Sequence, residues 1–332
     1  LAAGRLARLL RDHVDLLPVW LDAPTPSGRS EPHAEGLALA PPQGPGGLPW
    51  LARQLGRLEV DAYHLHGVFE YPLACLQMDA PVMASFRGSD LSLGVYRRPA
   101  ELEMLLEKAR VVTFMNEAQE KLARRLFPVS GQTMIVPNHV DDMQVVPATL
   151  DLPRPIIGCV AEFRRVTGLD LLLGAFVKLG RGTMLLVGPF HPNDAGYYSD
   201  WIDKLRGVHR TGAVSPQRVR ELMAACDLMV FPSVSEGMPN KVLEAMATGT
   251  PVLVSDIAGN RQLVEDHQHG RLFTSRDSDH LHQVMLEMCQ APEQERQGWT
   301  ESARLRVKEE FNAANELAGW LHCYRLAGIG RA

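Results

Sequence analysis

Two glutamates eight positions apart, Glu236 and Glu244, are the residues of this chain whose type and spacing best suit chemistry. They lie in CDLMVFPSVSEGMPNKVLEAMATGTPVLVSDIAGN, residues 226–260, which reads as strand, loop, helix, strand, loop. The apolar run 227–231 predicts a buried strand. Pro239 suits the first turn of the following helix, where its missing N–H is no loss, and Gly249 with Pro251 stops that helix. Gly237 lets the loop backbone approach a ligand closely, and the helix start behind it offers unpaired N–H groups and the positive end of a dipole. Gly237, Met238, Pro239 and Asn240 thus make an anion site that needs no lysine. Glu236 stands in the loop, and Glu244 lies more than a turn inside the helix. One carboxylate can face a reacting centre while the other accepts paired hydrogen bonds from vicinal hydroxyls, as a ribose presents. The same spacing alone also describes a solvated helix face.

Such residues need strand ends to carry them. The chain has 332 residues, which accommodates two domains at roughly 100–200 residues each. Strand-like runs at 62–65, 82–86, 111–114 and 134–136 alternate with helical stretches at 100–109 and 117–127. After a Pro-containing link over 145–155 the rhythm restarts with strands at 156–160, 183–187, 227–231 and 251–255. Buried strands spaced by crossover helices predict an α/β protein with two parallel sheets, helices on both faces of each, and a cleft between them. Ligands in such sheets bind beyond the carboxyl ends of the strands, so the loops after Phe86, Val136, Val160, Val187, Phe231 and Ser255 are where a site is expected. The Pro/Gly-rich stretch 23–49 reads as a long irregular insertion.

Composition narrows the function class. Apolar residues make up 45% of the chain and charged ones 22%, which excludes wholesale disorder. Lys plus Arg against Asp plus Glu gives 14 − 17 = −3 over residues 1–150 and 20 − 22 = −2 over 151–332. No basic domain stands out, which argues against nucleic acid as a partner. Cys75, Cys159, Cys226, Cys289 and Cys323 are scattered singly among apolar neighbours and read as buried thiols in a reducing compartment. No uncharged apolar run approaches the roughly 18 residues that span a bilayer, so the expected location is cytoplasmic, at most peripheral to the inner face of a membrane. The chain opens on Leu1 into LAAGRLARLLRDH, whose apolar positions fit a helix, and a strand over 16–21 follows. In a fold of strand-helix units, the first strand of the N-terminal domain is therefore expected to be missing.

PSVSEGMPNKVLEAMATGTPVLVSD resembles the E-x7-E signature of the retaining glycosyltransferases of family 4, which have the two-Rossmann GT-B fold. The likeness extends along the chain. SFRGSDL, residues 85–91, resembles the family's His-Gly-Ser-Asp loop, and VPNHVD, residues 136–141, its Pro-Asn-Gly-Val-Asp segment. LLVGPF, with Gly188, is similar to a strand and glycine turn of the second sheet, and Arg210-Thr211-Gly212 to the turn beside the nucleotide base. Gly259-Asn260 resembles the glycine turn behind the donor sugar.

The resemblance implies an acceptor-side domain over 1–150, a nucleotide-sugar domain over 151–312, and a terminal helix, 313–332, that returns to the first domain. It implies a nucleotide diphosphate sugar as donor, a sugar, lipid-linked or small-molecule acceptor, and no metal or other cofactor. Glu244 is then expected to hold the ribose, Glu236 the transferred sugar, and residues 237–240 the diphosphate through backbone groups. Departures qualify this. In AEFRRVTG, Glu162 and Thr167 stand where the family commonly has the arginine and lysine that neutralise the diphosphate, leaving Arg164 and Arg165 to supply a clamp from a shifted position. Arg87 replaces the histidine often found near the sugar; it cannot act as a base, but it can stabilise the departing diphosphate. Asp90 can orient the acceptor or cap the next helix, and Gly88, Ser89 and His66 are candidates for the acceptor side. His64 and His66 share one face of a strand, but no third residue completes a metal site. Two rivals stay open: a non-catalytic nucleotide-sugar binding or regulatory protein, and a two-lobed solute-binding protein.

Overall fold

The structure is a computed structural model that describes residues 6, 8–10, 12–15, 17, 19–21, 29–33, 36–40, 47–67, 74–75, 78–88, 90–141 and 144–329. It divides into one unit formed by Leu1–Pro137 with Ala313–Ala332 and a second formed by Asn138–Asn312. The division falls at Pro137/Asn138, ahead of the Pro-containing link that marks the boundary near 150 in the sequence; residues 144–153 are irregular and lie within the second unit.

In the first unit, β1 (Val19–Leu21), β2 (Arg29–His33) and β3 (Gly36–Ala40) form a small sheet, in which β1 runs parallel and β2 antiparallel to β3. This corrects the reading of 23–49 as irregular, for which residues 23–28, 34–35 and 41–46 lie outside those described. The alternation in Gly-Leu-Ala-Leu-Ala was masked by surrounding proline and glycine; Pro32 is tolerated because β2 is an edge strand. The strand expected over 16–21 is β1, and it belongs to this mixed sheet, not to the main one.

The main sheet of the unit has the order β4 (Tyr63–His66), β5 (Val82–Ser85), β6 (Val111–Phe114), β7 (Gln132–Ile135), all parallel. Every residue of β5 and β6 is buried, which is why these strands read as continuous apolar runs. Between β6 and β7, the helix Glu117–Leu126 starts where the Asn116 side chain accepts from Gln119 N–H, with acids in its first turn and Arg124 and Arg125 in its last, matching the helix dipole. The helix Ala313–Ala327 packs on β6 and β7, and its Trp320, Cys323, Tyr324 and Ala327 share a buried cluster with Leu6, Leu10, Met83, Val111 and Val136.

The second unit is a six-stranded parallel sheet formed by β8 (Ile156–Val160), β9 (Thr183–Val187), β10 (Val208–Arg210), β11 (Leu228–Phe231), β12 (Val252–Ser255) and β13 (Arg271–Phe273). The spatial order is β10-β9-β8-β11-β12-β13. Between β10 and β11 runs the helix Pro216–Ala225, capped by Ser215, whose hydroxyl accepts from Arg218 N–H. The order changes direction between β8 and β11, so the loops after these strands flank a topological switch point, where open α/β sheets bind ligands.

Gly188, just beyond β9, has φ +126°, and a Cβ there would lie 2.0 Å from the Ala161 carbonyl oxygen. Only glycine lets the two strand ends approach so closely. Gly188→Ala should destabilise the protein by about 1–3 kcal/mol from backbone strain alone. A urea midpoint equal to that of the wild type would show that the contact is not needed.

Candidate functional site

The loops at the carboxyl ends of β8, β11 and β12 are bound to one another. Val234 N–H donates to the Val166 carbonyl at 3.0 Å, joining the loop after β11 to the loop after β8. From the other side, Gly259 lies so close that a Cβ would come within 2.7 Å of the Glu236 carbonyl oxygen and 2.8 Å of that of Gly237. Gly237 and Met238 are buried, whereas Glu236 and Asn240 are exposed.

The helix Asn240–Thr248 follows, with Pro239 at its N-cap, one position earlier than the first-turn placement expected from the sequence. Gly249 ends it in the left-handed conformation, φ +76°, as the pattern predicts. Met238 Sδ accepts from Asn138 N–H at 3.2 Å, and Asn138 Nδ2 donates to Asn240 Oδ1 at 2.7 Å. Asn138 comes from the VPNHVD segment and was not singled out in the sequence; its asparagine within a turn-like run was the available signal.

The two glutamates differ in surroundings. Glu236 is exposed by area, yet protein atoms crowd its carboxyl group; this desolvation raises its pKa, while a hydrogen bond from the Ser233 side chain opposes the rise. Glu244 is mostly buried, and both of its oxygens accept from Lys241 Nζ at 2.8 Å. The i,i+3 spacing of Lys241 could have revealed this pair. The helix start thus carries a lysine after all, directed at Glu244.

The loop after β8 carries Arg164 and Arg165. Arg164 donates to Glu162 Oε2 from Nε at 3.1 Å and from Nη2 at 2.5 Å. Arg165 is largely exposed, with Nε 3.4 Å from Asp194 Oδ1 and its guanidinium 4.8 Å from the centre of the Tyr197 ring. Of the neighbouring aromatics, Tyr197 is half exposed, Tyr198 is buried, and Trp201 packs at the edge of the core. Gly188 N–H donates to the Gly212 carbonyl at 3.1 Å, while Gly212, φ +66°, has open space where a side chain would stand.

In the first unit the loop after β5 is organised by a buried carboxylate. Asp90 accepts from the backbone N–H groups of Arg87, Gly88 and Leu91 at 3.0–3.1 Å. Gln119 Nε2 donates to the Gly88 carbonyl at 2.9 Å. Ser89 lies outside the described residues. Arg87 Nη1 donates to the Val136 carbonyl at 3.0 Å, Nη2 is 3.9 Å from Glu316, and the guanidinium lies 5.2 Å from the centre of Trp320. Glu316 is itself buried and accepts from Trp320 Nε1 at 3.1 Å.

His64 is fixed between Tyr324 Oη at 2.9 Å and Ser85 Oγ at 2.6 Å, and the His66 ring lies 6.1 Å from Trp320. Among the described residues, no group of three or more His, Cys, Asp or Glu is arranged to hold a metal, and no helix is long and apolar enough to cross a membrane.

The comparisons with known proteins agree with this architecture. The fold is GT-B, with two parallel-sheet units. Residues 154–291, within the second unit, match the family described as glycosyl transferases group 1.

Among curated proteins, the chain is 28% identical over 200 residues to alpha-maltose-1-phosphate synthase of Mycolicibacterium smegmatis, covering 56% of this chain and 51% of that protein. It is 27% identical over 269 residues to D-inositol 3-phosphate glycosyltransferase of Nocardia farcinica, covering 69% and 54%. The chain therefore spans about half the length of these relatives. Among solved structures, sucrose-phosphate synthase of Thermosynechococcus elongatus superposes with a TM-score of 0.79 at 20% identity, over 98% of this chain and 92% of that one. Anabaena HepE in complex with UDP-glucose does so with a TM-score of 0.72 at 17% identity, over 86% and 85%.

Burial, with help from the charges of His66 and Arg87, pushes the His64 pKa down from 6.5 to about 3. The unfolded chain therefore takes up a proton near pH 6.5 that the folded protein refuses until about pH 3. This contribution to stability is complete above pH 6.5 and is lost as pH falls, at about 1.4 kcal/mol per pH unit. Denaturation of the wild type and of His64→Asn between pH 6.5 and 5 should show the steeper loss in the wild type; parallel curves would contradict it.

Proposed function

We propose that this chain transfers a sugar from a nucleotide diphosphate sugar to a hydroxyl acceptor, with retention of anomeric configuration, in glycan, polysaccharide or glycolipid synthesis. The observation that carries the reading is the pair of glutamates on the switch-point loop and its helix, with Glu236 exposed at the loop and Glu244 anchored beside Lys241. The relatives support it: a maltose-1-phosphate synthase, an inositol phosphate glycosyltransferase, and a GT-B protein crystallised with UDP-glucose.

In this reading Glu244 accepts the ribose hydroxyls, while Lys241 holds the carboxylate in place. The N–H groups of Gly237, Met238 and Asn240 meet the diphosphate, Gly212 leaves space for the nucleotide, and Gly188 holds the turn beside it against Ala161. Glu236 faces the transferred sugar. The bond from the anomeric carbon to the diphosphate breaks, the acceptor oxygen bonds to that carbon on the same face, and the acceptor proton passes to the leaving phosphate. Arg87 stabilises the departing charge, and Asp90 holds the loop that carries it, with Gly88, Ser89 and His66 on the acceptor side. The reaction so described calls on no metal. Five free cysteines, four of them buried, support a reducing cytoplasmic setting, peripheral to a membrane if the acceptor is lipid-linked.

One observation favours a second reading, a non-catalytic nucleotide-sugar binder. Arg164 is neutralised by Glu162, and Arg165 is turned to Asp194 and Tyr197, so neither is pre-set as a phosphate clamp. A screen of UDP-, GDP- and ADP-sugars for thermal stabilisation, followed by donor hydrolysis without acceptor, separates the two: stabilisation with hydrolysis supports the enzyme, and stabilisation alone supports the binder.

Glu244→Ala should raise the donor KM by about tenfold or more, because a charged hydrogen bond to a hydroxyl contributes about 1.5–3 kcal/mol in ground and transition state alike. Glu236→Gln should instead lower kcat with the donor still bound. An unchanged donor KM in the first variant, or wild-type turnover in the second, removes the corresponding role. For the phosphate loop, if Arg164 or Arg165 leaves its carboxylate to meet the diphosphate, the double change to Ala should lower nucleoside diphosphate affinity, as measured by calorimetry. Unchanged affinity there, with much tighter binding in Glu162→Arg, would make the binder the better reading.

A further inference from the structure

A line of hydrogen bonds runs from the helix Ala258–Arg261 to the Glu236 carboxylate. Asn260 is buried, and its Nδ2 donates to the Ser255 carbonyl at 2.8 Å and to Ser255 Oγ at 3.1 Å. Rotating the amide would set its oxygen against that carbonyl, so the orientation is determined. Ser255 Oγ, accepting from Asn260, spends its own proton on the Ser233 carbonyl at 2.5 Å. The Ser233 side chain then hydrogen-bonds Glu236, whose backbone is pressed by Gly259 of the same helix. Thus β12 and its following turn hold both the backbone and the side chain of the loop that ends β11. We infer that Ser233, fixed in place by Ser255 and Asn260, is a positioning residue that orients the Glu236 carboxylate.

The surroundings leave Ser233 as the group able to do this. Charged groups on neighbouring elements are committed elsewhere: Lys241 to Glu244, Arg261 to Asp256, Arg164 to Glu162 and Arg165 to Asp194. Burial raises the Glu236 pKa and the Ser233 hydrogen bond lowers it, so loss of the hydroxyl must move it upward. The inference rests on the reading of Glu236 as the carboxylate facing the transferred sugar, but its first test needs no substrate.

The carboxyl carbon of Glu236, assigned by its absence from Glu236→Gln, can be titrated by NMR in the intact chain labelled at glutamate. Ser233→Ala should shift the titration to higher pH, Ser233→Thr should restore it, and Ser255→Ala should shift it in the same direction by a smaller amount. With an identified donor, Ser233→Ala should also move the acid limb of kcat upward and lower kcat by about tenfold on that limb, with donor KM retained. A wild-type titration in both Ser233→Ala and Ser255→Ala overturns the inference. Wild-type turnover in Glu236→Gln, alongside a shifted titration in Ser233→Ala, would instead sink the catalytic reading and leave the positioning role standing.

Discussion

The site depends on backbone packed against backbone at one place, where Gly259 meets the carbonyls of Glu236 and Gly237. A methyl group at residue 259 would have to displace peptide units, which lack the freedom of a side-chain tip to move aside. That contact, with the Val234–Val166 hydrogen bond on the opposite side, fixes the loop after β11 between the turns after β8 and β12. Loop residues are usually the softest in a fold. Here the loop is clamped by the same buried strands that make the core, so its exposed glutamate is presented by a rigid support.

Much of this was legible because parallel strands buried on both faces write themselves as short apolar runs. β6, β8 and β9 coincide with the runs predicted at 111–114, 156–160 and 183–187, and Glu236, Gly237 and Gly249 announced the loop and helix between β11 and β12. What was illegible is pairing across long separations. Nothing local to Asn138 says that its amide meets Asn240, or that its N–H meets Met238. The β2–β3 hairpin was hidden for a different reason: small residues among proline and glycine carry almost no periodic signal.

Side-chain commitments were the other blind spot. Arg164 and Arg165 are adjacent in sequence yet turn to different carboxylates, Glu162 and Asp194, the second more than twenty positions away. Asp90 has the residue type of a catalytic acid but spends its oxygens on three backbone N–H groups, and its burial is tolerable because those donors are supplied. Arg87, Glu316 and Trp320 make a similar set, in which a buried cation and anion are kept by an indole N–H and a carbonyl. Each is a case where composition names the group and only folding names its partner.

The pairing of Glu162 with Arg164 also bears on how a charged ligand would arrive. A loop with two uncompensated guanidinium groups draws anions from a distance and loses that pull as salt is added. With one arginine neutralised within two residues, the far field of this loop is close to that of a single positive charge, itself shared with Asp194. What remains for an anion is short-range and directional, in the N–H groups at the start of the helix Asn240–Thr248, which counter-ions screen poorly at contact. Capture of a diphosphate on such a surface is governed by fit at the last few ångströms and is comparatively indifferent to ionic strength.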